Sequence, residues 1–453
     1  MELTRFLLIC LVLILMGFEV QTVESATVDD DGTVQEVSDL DLSMYEYPDE
    51  GQPEFGPTDA ETFLDSTTPE RDAIFGDVVP RKYFQWKRDL YTNHDLKLGF
   101  FYQSLYMSAS ETLPNSTNDN AWGQWWGLDL KWTPLNKGED REGSLVLVAA
   151  ERNAVGNHAV PAPWGVEDLG SLYAVNFEWT QWDFAVEELY WEQWLGKKRF
   201  MFRVGNTAAG TMINPFRFKD ARTSFTSTPF AFHESIPAPA QGAGLAAKWW
   251  PKEDSEFYIS AVLNDANGNP SRGDFLGLDW GTFSKGEYFY AVEFGNIWRK
   301  GDGEFNRLFL TAFYVDENSF NEPPFPNEAG GGFKLMGSLQ QGNWVEFASY
   351  TYNTAEGGAL ATFGKHTVTA GVVRLDPFGV KGEFGTGLIW FKPLPELLPD
   401  VKLRNQTGFE VYWKMLLTPN LWITPGFQFL WNPALNPTVD RVFIPHLKFR
   451  LAY

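Results

Sequence analysis

From about residue 96 to the end of the chain, apolar and polar residues alternate in segments separated by Gly, Pro, Asn and Asp. A period of two is that of a β-strand with unlike faces. The closing segment RVFIPHLKFRLAY places Phe443, Pro445, Leu447, Phe449, Leu451 and Tyr453 on one face and His446, Lys448 and Arg450 on the other. From Ala185, Leu189, Trp191 and Leu195 oppose Glu188, Tyr190 and Glu192; from Lys198, Phe200, Phe202 and Val204 oppose Arg199, Met201 and Arg203. From Thr407, Phe409, Val411, Trp413 and Met415 oppose Glu410, Tyr412 and Lys414; from Leu421, the face of Ile423, Phe427, Phe429 and Trp431 opposes Thr424 and Gln428.

The pattern predicts about sixteen strands, starting near residues 96, 122, 144, 184, 198, 242, 256, 287, 306, 333, 343, 366, 384, 407, 421 and 442. The span Trp164 to Trp182 has room for one more. A soluble sandwich would bury the apolar face and wet the polar one. A transmembrane antiparallel β-barrel would turn the apolar face to lipid and the polar face to a wet lumen. The barrel is favoured by aromatics that end apolar faces (Trp132, Trp249, Trp431, Tyr453) and by connections that alternate between short and long. An even strand count brings both chain ends to one side. The short turns GKK and TPN then fall on that side, and long loops at 153–183, 207–241 and 265–286 fall on the other.

Charge changes the picture at the N-terminus. Of a net charge of −23, residues 27–72 supply fifteen acids against one Arg, so the strand region is only mildly acidic. A block of this kind buries too little apolar surface to offset chain entropy and is expected to stay unfolded. Arg5 precedes an apolar run from Phe6 to Phe18, too short to span a bilayer as a helix and suited to a secretory signal cut after Ser25. The expected organisation is a signal at 1–25, an acidic leader at 26–74, a short helical entry segment at 75–95 and the barrel at 96–453. Cys10, the only cysteine, leaves with the signal, which excludes a disulfide-stapled fold. The acidic balance argues against a nucleic-acid partner.

Three stretches resemble the carbohydrate-selective porin family known as OprB: EELYWEQWLGKKRFMFRVGNTAAGTMINPF, GAGLAAKWWPKEDSEFYISAVLNDANGNP and MLLTPNLWITPGFQFLWNPALNP. They cover just under a fifth of the chain. The resemblance implies a sixteen-stranded barrel in the bacterial outer membrane that passes sugars by diffusion, with lipid around it, no cofactor and, by analogy, assembly as a homotrimer.

A sugar pore needs polar groups that replace the hydration of hydroxyls and aromatic faces that stack on ring C–H surfaces, without holding the solute too tightly. Glu188, Tyr190 and Glu192 facing Arg199 and Arg203 would set a transverse field across the lumen. The loop from Asn206 to Gln241, with Arg217, Lys219, Asp220 and Arg222 between Phe216 and Phe225, is expected to fold inward and narrow the pore. Lys448 and Arg450 join the lumen charge, and Trp125, Trp194 and Trp422 are stacking candidates. Blander readings stand beside these. The Glu and Arg residues would merely neutralise one another in a wet wall, the loop cations would sit at the mouth on lipopolysaccharide phosphates, and the tryptophans would anchor an interface. Asp265, Asn267 and Asn269 have the spacing of a calcium loop but lack its glycine and closing Glu. No HExxH, phosphate loop or nucleophile elbow is present, so the chain carries no recognisable catalytic motif and is not expected to be an enzyme.

Overall fold

The computed structural model describes residues 73–75 and 81–452, apart from short segments of which 271–276, 300–304, 320–327 and 356–362 are the longest. The expected signal and nearly all of the acidic leader lie outside the described residues, as does Tyr453. Sixteen strands form one closed barrel in which each pairs with its neighbours in sequence and the first pairs with the last. They are β1 (Leu96–Ser108), β2 (Asn120–Leu135), β3 (Gly143–Ala154), β4 (Trp182–Leu195), β5 (Phe200–Thr207), β6 (Gly242–Trp249), β7 (Phe257–Asp265) and β8 (Tyr288–Arg299), then β9 (Phe305–Val315), β10 (Gly330–Gln341), β11 (Trp344–Asn353), β12 (Gly364–Leu375), β13 (Gly382–Pro393), β14 (Gln406–Thr418), β15 (Leu421–Trp431) and β16 (Arg441–Ala452). Closure joins β1 to β16 with Phe101 opposite Ala452 and Met107 opposite His446. All pairs are antiparallel, and closure leaves no strand edge unpaired. The space between Trp164 and Trp182 holds no extra strand among its described residues; it begins as a helix at Pro161–Glu167.

The two-faced sequence is laid out inside-out. Leu245, Leu308, Leu388 and Leu447 point outward and are exposed, while their neighbours Lys448 and Arg450 point inward and are each 1 % exposed. Trp132, Trp249 and Trp344 stand exposed at the short-turn end, and Tyr106, Trp122, Tyr290 and Tyr314 at the long-loop end, the two girdles an interface requires. Leu447 lies mid-strand in β16. Its replacement by Lys is expected to cost about 2–4 kcal/mol of barrel stability in vesicles, read as a lowered urea midpoint. An unchanged midpoint would place this face in water.

Arg81–His94 forms α1, which leads directly into β1. Its C-terminal turn is held by the β2–β3 turn: Lys137 donates to the Tyr91 carbonyl, lies 4.1 Å over the Tyr91 ring and pairs with Asp95 at 2.8 Å. Lys87 of α1 is buried, and burial lowers its pKa to about 7, only partly offset by the nearby Asp129 carboxylate. A freed helix would return Lys87 to about 10.5. Between pH 7 and 10.5 the undocked helix therefore holds a proton that the docked one has shed. Docking strengthens as pH rises, by about tenfold per unit, and is flat and weakest below pH 7. An environment-sensitive fluorophore on Asp89→Cys should report this rise, and Lys87→Met should abolish it; a flat profile in the Lys87 protein would refute the assignment.

Candidate functional site: the filled lumen

The β5–β6 connection folds into the barrel and crosses it. It leaves β5 at Asn206, whose amide donates to the Glu187 carbonyl at 2.6 Å. It meets β7 where Ser260 donates to the Met212 carbonyl (2.6 Å) and β8 where the Asn214 amide donates to Glu293 (2.6 Å). Lys334 of β10 donates to the Asn214 side chain at 2.6 Å. At the far wall Ser224 donates to Glu383 (2.5 Å), while the Thr226 and Ser227 amides donate to Glu410 at 2.5 and 2.9 Å and the Ser227 hydroxyl joins them. Lys448 donates to the carbonyls of Ala221 and Ser224. The return path touches β12 through Ser235 and Thr367, 2.6 Å apart.

Between these polar pins the loop packs as a hydrophobic core. Phe216, Phe225 and Phe230 surround Phe347 at centroid distances of 4.9, 5.7 and 5.9 Å, and Phe225 lies edge-on to Tyr412 at 4.7 Å. Glycines hollow the wall to receive these rings. A Cβ on Gly387 would sit 2.5 Å from the Phe230 ring, and one on Gly408 would sit 2.1 Å from the Tyr173 hydroxyl.

Tyr173 belongs to a second inserted loop, β3–β4, whose Leu172 amide donates to Gln406 at 2.7 Å and whose Val175 carbonyl accepts from Gln428 at 2.9 Å. The sequence reading placed this loop outside. Its run of aromatics from Trp164 to Trp182 is the signal that could have shown it: a solvated loop has no use for so many. The charged residues do look inward, but the two loops cover most of them.

The charged ladder is built on β2, β4 and β5. Glu192 receives Lys131 at 3.1 Å and Arg203 Nε at 2.8 Å, and Arg203 lies 4.7 Å over the Tyr190 ring and donates to Thr211 at 3.3 Å. The register explains the contact, since Glu192 stands opposite Arg203. Lys131 keeps 24 % of its side chain exposed, against 4 % for Glu192 and 7 % for Arg203, so the ladder meets water through Lys131. Glu188 and Tyr190 are inward and buried.

A β-bulge adds a partner that strict alternation hides. Val148 pairs with Glu188 but Ala149 pairs with Val186, which leaves Glu187 as the extra residue. Both consecutive acids are then buried, and Glu187 takes Arg152 in a two-point pair at 2.8 Å each. The Arg152 guanidinium is sandwiched between Trp125 (3.7 Å) and Trp182 (4.1 Å).

Arg199 is not in the lumen. Gly196, Lys197 and Lys198 all have positive φ, at 62°, 60° and 55°. The tight left-handed turn they form delays β5 to Phe200 and leaves Arg199 exposed at the barrel rim, donating to the Gly196 carbonyl at 3.0 Å. Water solvates a guanidinium there more cheaply than the wall could. Arg217, Lys219 and Asp220 lie outside the described residues; Arg222 is buried in the inserted loop. Lys448 pins that loop, and Arg450 donates to Gln103 at 3.0 Å.

Trp125, Trp194 and Trp422 all point inward and are nearly buried. Each is already covered on one side, Trp125 by Arg152, Trp194 by Trp250 stacked at 5.7 Å, and Trp422 by Lys414 at 4.4 Å. The Asp265 carboxylate is used within its own loop, accepting from the Asn267 amide at 2.9 Å and from Thr282 at 2.5 Å, which makes the DANGN stretch a side-chain-capped turn. Among the described residues no group of three His, Cys, Asp or Glu could hold a metal.

No protein-family model and no curated protein matches the chain. Solved structures do. The high-pH structure of Pseudomonas putida OprB superposes with a TM-score of 0.67 at 13 % identity, over 85 % of this chain and all of that one. The low-pH structure of the same protein gives 0.48 at 11 % identity over 81 % and 94 %, and a mutant of Rh. blastica porin gives 0.47 at 7 % over 79 % and 100 %. The chain thus shares the fold of Pseudomonas putida OprB, and here the barrel has sixteen strands and an inward-folded loop.

Proposed function

We propose that this protein is a passive outer-membrane porin through which carbohydrates diffuse. The observation that carries the reading is the pairing of an apolar, girdled outer wall with a polar lumen narrowed by a loop pinned at both walls. Such a barrel lets a small solute through while the loop sets its size and polarity. The partly exposed Lys131, backed by Glu192, Arg203 and Tyr190, offers charge and hydroxyl partners for a sugar without the enclosed aromatic pocket of a tight binder. In this reading the short turns and α1 are periplasmic and the long loops face outward. The porin carries no catalytic role, takes outer-membrane lipid as its surroundings and sugars as its cargo, and assembles as a homotrimer.

Single-channel recording with a panel of mono- and oligosaccharides tests it. Concentration-dependent block by sugars is expected, and a sealed barrel would end the proposal. A second reading, a porin for small anions, draws on the inward cations Lys248, Arg307, Lys334 and Lys414, which add to Lys131, Arg203, Lys448 and Arg450. A reversal potential dominated by anions, without sugar block, would select it.

A further inference from the structure

The β12–β13 turn carries the most exposed of the large apolar side chains described, Phe378, at 77 %. It also holds three residues at positive φ: Asp376 (45°), Phe378 (59°) and Gly379 (75°). Glycine takes that conformation without strain; a phenylalanine does not. A turn that only joined two strands in water would place Gly, Asn or Asp at the Phe378 position. The turn is not loose. Asp376 accepts the Gly382 amide at 3.0 Å and pairs with Lys381 at 3.1 Å, which ties its two ends together.

The Phe378 ring lies against the outside of the wall. It is 5.9 Å from Trp413 of β14, edge to face, and 5.8 Å from the Arg374 guanidinium of β12. Both partners belong to outward rows: Arg374 stands opposite Trp344 and Phe384, and Phe384 opposite Trp413. Arg374 also lies 5.3 Å over the Trp344 ring. These four side chains make one patch across β11–β14 on the outer face of the short-turn end.

Arg374 departs from the rule that orders the rest of the wall. At the short-turn end the strand cations Lys131, Arg203, Lys248, Arg307, Lys414 and Arg450 point inward. Among the described residues, Arg374 is the one strand cation there that points outward. The exposed cations Arg141, Lys197, Arg199 and Lys252 at this end sit in turns, where water solvates them. Neither neighbouring acid neutralises Arg374. Asp376 is taken by Lys381, and Glu346, two residues farther from the turn on β11, forms no ion pair with it. Arg374 Nε is buried with no hydrogen-bond partner among the described residues. A permanent cation held between two rings in an apolar wall, with a donor to spare, fits a phosphate at the same depth.

We propose that the β12–β13 turn is a foot on the lipid leaflet at the short-turn end, with Phe378 among the first methylenes of the acyl chains and Arg374 on a phospholipid phosphate. Burial of the ring in lipid offsets its strained backbone. Rings are suited to the boundary between headgroups and chains, and the guanidinium fork matches phosphate oxygens. The membrane-facing reading of the outer wall underlies this proposal; sugar passage does not.

The test uses the full-length barrel in phosphatidylcholine vesicles, with an environment-sensitive fluorophore on Phe378→Cys and brominated phosphatidylcholines as quenchers. Bromines near the headgroup should quench it strongly and bromines at the chain ends weakly. A fluorophore on Leu447→Cys, mid-wall, should show the reverse order. Heat-modifiable migration confirms that each barrel is folded. A quenched Leu447 site beside an unquenched, water-exposed Phe378 site overturns this proposal alone; two unquenched sites overturn it together with the membrane reading. Arg374→Gln should shift the folding equilibrium about tenfold toward the unfolded barrel in these vesicles. The shift should be several times smaller in dodecyl maltoside micelles, which offer acyl chains but no phosphate. An equal shift in both media, or none in vesicles, would show that Arg374 serves only its neighbouring rings and would remove the phosphate from the proposal.

Discussion

In a planar bilayer the Glu410→Ala barrel will carry a larger and noisier current than the unaltered protein. Glu410 accepts the Thr226 and Ser227 amides and the Ser227 hydroxyl, so one buried carboxylate closes three donors of the inserted loop. Hydrogen bonds to a charged group contribute about 1.5–3 kcal/mol each. Alanine removes all three hydrogen bonds at once and leaves two backbone amides without partners in a dry wall. Phe216, Phe225 and Phe230 keep their packing on Phe347, so the loop stays in the barrel by its aromatic cluster while the stretch around Thr226 opens and closes. Conductance should rise severalfold with added open-channel noise, and sugar block should weaken. Glu410→Gln, which still accepts, should fall between the two. A folded Glu410→Ala barrel with unaltered current would mean that this segment of the loop does not border the solute path.

The strand pattern was legible because one physical constraint runs through it. An apolar outer face and inserted loops inside demand opposite side chains at every second position, and a slip by one residue would turn Lys448 and Arg450 onto the apolar outer face. Every strand start near Leu421, Gly242 or Leu96 could be read from that demand. The inserted β5–β6 loop was legible too, from its length and its paired Phe and cation content. The site was less so, for reasons of local geometry. Arg199 sits in step with Arg203 in the sequence, but three left-handed residues before it end the strand frame early. Glu187 falls on the wrong parity and enters only because a bulge inserts it. Lys131 and Glu192 meet across β3, where the small Ser144 stands opposite Glu192, a contact between strands that no linear spacing announces. The covering of the lumen depends on long-range pairings such as Gln406 with Leu172 and Gln428 with Val175.

Replacing Glu192 should do more damage than replacing either of its partners. Lys131 and Arg203 both converge on this carboxylate, and Arg203 is nearly buried. Glu192→Gln keeps the shape but leaves two like charges facing each other across a neutral amide. Lys131, a quarter exposed, can swing into water; Arg203 stays held between the Tyr190 ring and Thr211. Breaking a buried pair by removing one partner costs about 3–5 kcal/mol, and that loss should appear as a lowered urea midpoint in vesicles. The unbalanced cations should also shift the reversal potential toward anion preference, an effect stronger at low salt because screening is weaker there. The double variant Glu192→Gln, Arg203→Met discriminates between charge and mere disruption. It removes the stranded cation and should recover most of the stability and much of the original selectivity. If the single variant is as stable and as selective as the unaltered barrel, the ladder lies away from the solute path and the field across the lumen arises elsewhere. If the double variant recovers stability but not selectivity, Arg203 itself takes part in choosing the solute, through its planar face on Tyr190 rather than through its pairing with Glu192.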